Sequence, residues 1–192
     1  GIIQGVTEWL PISSTGHMIL FDSLWPLKAS DDFKDMFDVV IQLGSILAVL
    51  VVYFSRLNPW SRKKTPEENK YTLNLWGKII VAAIPAAIAG VFLDDIISTY
   101  LGGYAVVAAA LIVYGIAFII IERSKKNTVP RIQKAEDIDI KTALSIGAFQ
   151  VLSLVPGTSR SGSTIVGAML VGVSRTAAAE FSFFLAIPIM FG

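Results

Sequence analysis

The chain has 192 residues, 54% of them hydrophobic and 16% charged, with a formal net charge of +1 and a mean hydropathy of +0.64. A water-soluble domain carries about 25% charged residues, so this composition excludes a protein held in solution by its surface. With no cysteine, disulfides and thiolate metal sites are excluded too.

The start shows no signal-peptide pattern. The chain opens on Gly1 and stops at Phe191-Gly192 inside an apolar run, so a piece of a longer protein is expected. Residues 1–27 are apolar on either side of a polar knot, Pro11-Ile12-Ser13-Ser14-Thr15-Gly16-His17. Phe37 to Phe54 is almost uninterrupted apolar sequence and reads as a first span. Leu75 to Leu93 and Tyr104 to Ile121 are the second and third. Such runs are roughly 27 Å long as helices, enough to cross a bilayer core with little tilt. Residues 142–173 repeat the apolar–polar–apolar pattern around Pro156-Gly157-Thr158-Ser159-Arg160-Ser161-Gly162-Ser163, and a fourth span is expected from Ala177 onward. Buried helices of a large soluble core are the alternative, but no amphipathic helices remain to cover them.

The loops set orientation. Arg56, Arg62, Lys63, Lys64 and Lys70 fall in one loop, and Arg123, Lys125, Lys126, Arg131, Lys134 and Lys141 in another. The positive-inside rule places both in the cytoplasm. The arms beside each knot are too short to span, and Pro and Gly break a helix inside the knot. Broken backbone at membrane depth survives only where protein encloses it. Both segments therefore read as re-entrant helix–loop–helix hairpins. Gln4 precedes Gly16 by the interval at which Gln150 precedes Gly162. The fold expected is an all-α polytopic membrane protein, a single domain of two inverted-topology repeats over about residues 1–100 and 101–192. That architecture puts a site near the midplane.

Ionisable groups at membrane depth need a reason, and Glu8, His17 and Arg160 all lie in or beside the knots. Around Arg160, the hydroxyls of Thr158, Ser159, Ser161 and Ser163, the glycines Gly157 and Gly162, and a helix restarting just after Ser161 suit a phosphate. A snorkelling arginine or a structural partner for Glu8 is the plainer alternative. His17 is the only histidine; it is either a satisfied core residue or a base for the nucleophile candidates Ser13, Ser14 and Thr15 within one turn. Gln4 and Glu8 share a helix face; Glu8 could hold a divalent cation, orient His17 or pair with Arg160. Asp38 and Lys78 read as charges near span ends, Gln42, Gln150 and Glu180 as hydrogen-bonding residues between helices, and the four tryptophans as an interfacial belt.

The segment QGVTEWLPISSTGH (residues 4–17) resembles the first motif of the bacterial undecaprenyl-diphosphate phosphatases, the bacitracin-resistance family. LVPGTSRSGST (residues 154–164) resembles that family's second motif. The resemblance covers the whole chain and implies hydrolysis of undecaprenyl diphosphate to the monophosphate carrier of cell-wall synthesis, in the bacterial cytoplasmic membrane. It also implies interlocked inverted repeats, a polyprenyl diphosphate partner and surrounding lipid. By position it makes Glu8, with Gln4, the metal-associated motif for a divalent cation, Mg2+ or Ca2+. Ser14 becomes the nucleophile, with His17 as nucleophile or acid/base partner. Arg160, Thr158 and Ser159 become the pyrophosphate holders, with Ser13, Thr15, Gly157 and Ser161 beside them. Gln4 lacks the charge of a Glu, which weakens a two-carboxylate metal site. A site facing the outer side and a homodimer are further expectations, and no nucleic-acid partner is expected. The rival reading is a secondary transporter or polyprenyl-phosphate flippase, which shares the architecture but needs no nucleophile.

Overall fold

A computed structural model describes residues 1–101, 103–125 and 128–191. Lys126, one of the expected loop cations, lies outside the described residues, as does Gly192 at the end of the expected fourth span. Among the described residues all regular structure is helical apart from one isolated bridge between Ile132 and Val173.

Local chemistry sets where each helix begins. Helix α1 (Ile2–Trp9) ends at Leu10, which is extended at φ −102° and ψ 141°, the conformation that the following Pro11 imposes. Helix α2 (Ser14–Leu24) starts on Ser13, whose hydroxyl accepts the Gly16 N–H at 3.2 Å. Helix α3 (Asp31–Val52) starts on Ser30 in the same way, and the single turn α4 (Phe54–Leu57) follows it. Helix α5 (Pro66–Leu101) begins with a reciprocal capping box. The Thr65 N–H donates to the Glu68 carboxylate at 2.7 Å, and the Glu68 N–H to the Thr65 hydroxyl at 3.3 Å. Pro at the first helical position completes that start, which lies well before the Leu75 boundary that hydropathy marks. Helices α6 (Tyr104–Lys125), α7 (Ile140–Gln150), α8 (Arg160–Leu170) and α9 (Arg175–Phe191) complete the set, with short 3-10 turns at Ala135–Asp137 and Val151–Leu154.

Three helices are each long and apolar enough to cross a membrane, over Asp32–Val52, Pro66–Leu93 and Ala105–Lys125. They match the three expected spans in place and order. Their outer faces carry large exposed hydrophobics such as Val51, Val91 and Ile112, far more than a soluble surface tolerates. The expected fourth span is a helix of 17 residues, but its surroundings differ. Phe181, Phe184 and Leu185 are fully buried, because α9 packs against α3, α5 and α8 at the centre of the core. The knots are shorter than expected, since Ser13 and Ser159 cap helices that include Ser14 to His17 and Arg160 to Ser163.

Helices α1 and α2 pack as one pair, α7 and α8 as another, and α5 runs along α7. The closest approach is at Gly147 of α7, where an added Cβ would lie 2.2 Å from the Ala82 carbonyl oxygen of α5. Behind the core, the Arg56 guanidinium bonds both Glu136 and Glu180 and lies 5.8 Å from the centre of the Phe184 ring. Burial works against its charge, yet the two carboxylates hold Arg56 above the usual arginine range. Glu180 thus joins helices, as its sequence context suggests. Lys78 departs from its expected place at a span end. The early start of α5 puts it inside the helix, buried, with Nζ donating to the Glu136 carbonyl at 2.7 Å.

Gly147→Ala should force α5 and α7 apart and lower the unfolding free energy by about 1–3 kcal/mol. Thermal unfolding of purified protein in detergent measures it; a melting temperature equal to wild type would contradict this packing.

Candidate active site between the two polar knots

The two knots meet face to face. Ser159 caps α8 as Ser13 caps α2, its hydroxyl accepting the Gly162 N–H at 3.1 Å. The two capping serines occupy the same register as the Gln4 and Gln150 pair. Two helix N-termini therefore open toward one cavity of about 110 Å³, lined by both capping serines, Glu8, Ser14 and Arg160 among others. Helix starts carry partial positive charge and free N–H groups, which suits an anion.

Arg160 is the first residue of α8, and its Nη2 donates to Glu8 Oε1 at 2.7 Å across the two helix pairs. Both side chains are largely buried, 16% and 11% exposed. The other carboxylate oxygen, Oε2, accepts from the Ser14 hydroxyl at 2.5 Å and from Gln4 Nε2 at 2.9 Å. Glu8 thus joins the expected nucleophile to the expected phosphate-holding cation.

Of the expected site residues, Ser13, Thr15, Thr158, Ser159 and Ser161 line the same cavity. Gly157 does not; it lines an adjacent cavity with Ser13 and Ser159. Its φ of +92° and the Val107 carbonyl 2.7 Å from an added Cβ explain why glycine stands there. His17 lines neither. Its Nδ1 lies 2.9 Å from the Ser13 carbonyl oxygen, and its backbone N–H donates to that oxygen at 3.2 Å. Since a carbonyl only accepts, Nδ1 carries the proton in that contact. Among the described residues the Ser14 hydroxyl is bonded to Glu8 and not to His17. Ser13 is the one described non-glycine residue with positive φ, at 65°, a conformation that costs roughly 1–3 kcal/mol and persists when its surroundings enforce it.

Sequence reasoning missed four lining residues as site members, Thr7, Gln42, Ser153 and Met190. Thr7 and Ser153 stand in the same repeat register as the capping serines, so the repeat could have pointed to them. Gln42 was visible as a polar residue inside a span.

Long apolar helices around a hydroxyl-lined cavity with one arginine define a multi-pass membrane protein with a polar site inside it. The chain belongs to the bacitracin resistance family: the family model described as "Bacitracin resistance protein BacA" matches residues 1–192. It is 57% identical over 192 residues to an undecaprenyl-diphosphatase of Enterococcus faecalis, covering 100% of this chain and 70% of that protein. An undecaprenyl-diphosphatase of Limosilactobacillus fermentum is 55% identical, with 100% of this chain and 70% of that protein covered. One of Acetivibrio thermocellus is 54% identical, with coverage of 100% and 71%.

Glu8→Ala leaves the Arg160 guanidinium buried without its carboxylate partner and should cost about 3–5 kcal/mol of stability. Glu122→Ala, which breaks the exposed pair with Arg175 (42% and 60% exposed), should cost about 0–1 kcal/mol. Denaturation of the two variants in the same detergent compares them, and equal losses would contradict the burial argument.

Proposed function

We propose that the chain hydrolyses undecaprenyl diphosphate to undecaprenyl phosphate and inorganic phosphate, with Ser14 as nucleophile, Glu8 as its base and Arg160 as the cation holding the phosphate. The activity is the one its relatives are named for. The carrying observation is the Ser14–Glu8–Arg160 chain of hydrogen bonds, 2.5 Å and 2.7 Å long, between two helix N-termini.

In this reading the terminal phosphate enters the cavity and takes over Arg160 from Glu8. The fork of a guanidinium and the N–H groups of the capped starts hold the phosphoryl oxygens as charge builds on them. The Ser14 hydroxyl attacks the terminal phosphorus in line with the bridging oxygen, and Glu8 takes its proton. The Oγ–P bond forms as the bridging P–O bond breaks, and the polyprenyl monophosphate departs with that electron pair. Glu8 releases its proton to solvent. It then takes a proton from an attacking water and passes it to Oγ as the phosphoserine bond breaks, freeing inorganic phosphate. Thr158, Ser159 and Ser161 surround the phosphate with hydroxyls. His17 is a positioning residue, holding the strained Ser13 through its carbonyl so that Ser14 begins the helix at the cavity.

A divalent cation fits this site. Gln4 Oε1 is buried without a hydrogen-bond partner, and it stands one turn from Glu8. An amide oxygen and one carboxylate suit Mg2+ or Ca2+ that keeps waters and arrives with the diphosphate. Among the described residues no group of three acidic or histidine side chains could hold it alone. Bound there, the ion would neutralise phosphoryl charge.

The same reading places the protein in the bacterial cytoplasmic membrane, with both helix pairs as re-entrant hairpins of inverted repeats and the site open to the outer face. The matching serine caps and the charge bias of the loops support it.

Phosphate release from undecaprenyl diphosphate in detergent tests the assignment. Arg160→Ala and Ser14→Ala should each lower kcat by about 100-fold or more, and chelation should lower it further in wild type. A folded Ser14→Ala with wild-type turnover would remove the serine as nucleophile. His17→Ala should lose about tenfold in kcat, the worth of one hydrogen bond, with His17→Asn recovering most of it. Activity lost equally in His17→Ala and His17→Asn would instead make the imidazole a proton carrier.

A further inference from the structure

Behind the two capping serines lies a second cavity of about 190 Å³, and its chemistry differs from that of the first. On one side Pro11, Ile12 and Gly157 close it; on the other stands a stripe of α6, Leu111, Tyr114, Gly115 and Phe118. The spacing of those four residues puts them on one helix face. The rest of α6 turns outward, with Ile112, Val113 and Ile116 exposed. Contact between α6 and the knots is close at two points: the Val107 backbone against Gly157, and the Leu111 side chain 3.2 Å from a Cβ added at Gly16. The cavity is thus a fixed part of the fold, with α6 as its wall.

Ser13 and Ser159 line both cavities. An amphiphile whose anionic head occupies the polar cavity therefore has an apolar chamber on the other side of the same two residues. The phosphate reading above requires such a ligand, since the carbon attached to its diphosphate continues as isoprene. A dry cavity of about 150 Å³ accepts benzene, and a five-carbon isoprene unit is smaller than that six-carbon ring. The Tyr114 hydroxyl gives the wall one polar tip. A tyrosine of that kind suits a boundary between wet and apolar surroundings.

We propose that this cavity is the subsite for the first isoprene unit of the lipid diphosphate, and that the α6 stripe Leu111, Tyr114, Gly115 and Phe118 determines specificity for it. The proposal rests on the phosphatase reading. It makes the enzyme selective for the portion of the tail nearest the phosphate, independently of total tail length.

Gly115 offers a direct test, because it lines the cavity and a Cβ added there meets nothing within 4 Å, so the fold accepts a larger side chain at that position. The probes are farnesyl diphosphate and methyl diphosphate, assayed by phosphate release with full-length protein in detergent. For Gly115→Leu the ratio of kcat/KM for the farnesyl over the methyl compound should fall at least tenfold, and for Gly115→Ala by a smaller factor. An unchanged ratio would overturn the subsite. A second measurement needs no turnover: a farnesyl methylenebisphosphonate with a diazirine on its first isoprene unit, photolysed with wild type. Labelling should fall within residues 111–118 and be competed by unlabelled bisphosphonate. Competed labelling elsewhere would overturn the subsite and leave the phosphatase reading standing. A wild type that releases no phosphate from any of these diphosphates would overturn that reading, and the subsite with it.

Discussion

The contact on which the site depends is the ion pair between Glu8 and Arg160. It joins residues far apart in sequence, one just before the first knot and one at the start of α8. Two charges removed from water cost several kcal/mol each unless they face one another with their remaining hydrogen bonds satisfied. Here the second carboxylate oxygen is satisfied too, by Ser14 and Gln4. A neutral pair could hold the helices together at lower desolvation cost. A charged pair keeps a guanidinium ready for an incoming anion and a carboxylate beside a hydroxyl, so stability and chemistry draw on the same atoms.

The scaffold around that pair leaves little room for adjustment. Helix α9 fills the centre with aromatic rings, α5 and α7 touch backbone to backbone at Gly147, and α6 rests on both knots through one stripe. The Arg56 hub ties the far end of α9 to α4 and the 3-10 turn at Ala135–Asp137. Loops that carry function are usually mobile. These two are pinned by serine caps, by Gly157 against Val107, and by Arg160 itself.

Much of this was legible in the residues. Long apolar runs marked the three spanning helices, because a helix that exposes most of its surface to lipid is apolar all round. The same signal marked α9, which is as apolar as a span and packs against α3, α5 and α8; hydropathy does not distinguish lipid from protein as apolar surroundings. It also cut α5 short, since Thr65-Pro66-Glu67-Glu68 begins a helix by capping chemistry in a polar stretch where hydropathy is silent. At the site, residue types and register pointed to Glu8, Ser14 and Arg160, and the packing brings all three to one cavity. They could not show that Ser14 turns to Glu8 in preference to His17, because α2 starts at Ser14 and the histidine's nitrogen is taken by Ser13. Gln42 arrives from a different helix, and proximity of that kind is written only in the packing.

The length of α5 has a mechanical consequence. Its 36 residues make a rod of about 54 Å, against a hydrocarbon layer of roughly 30 Å. Such a rod must lean, or stand proud of the bilayer, and the charged turns at its capped start are suited to standing in water. A change in bilayer thickness alters the lean of a mismatched helix. With α7 seated on α5 through Gly147, without an intervening side chain, α7 shares whatever inclination α5 takes at that point.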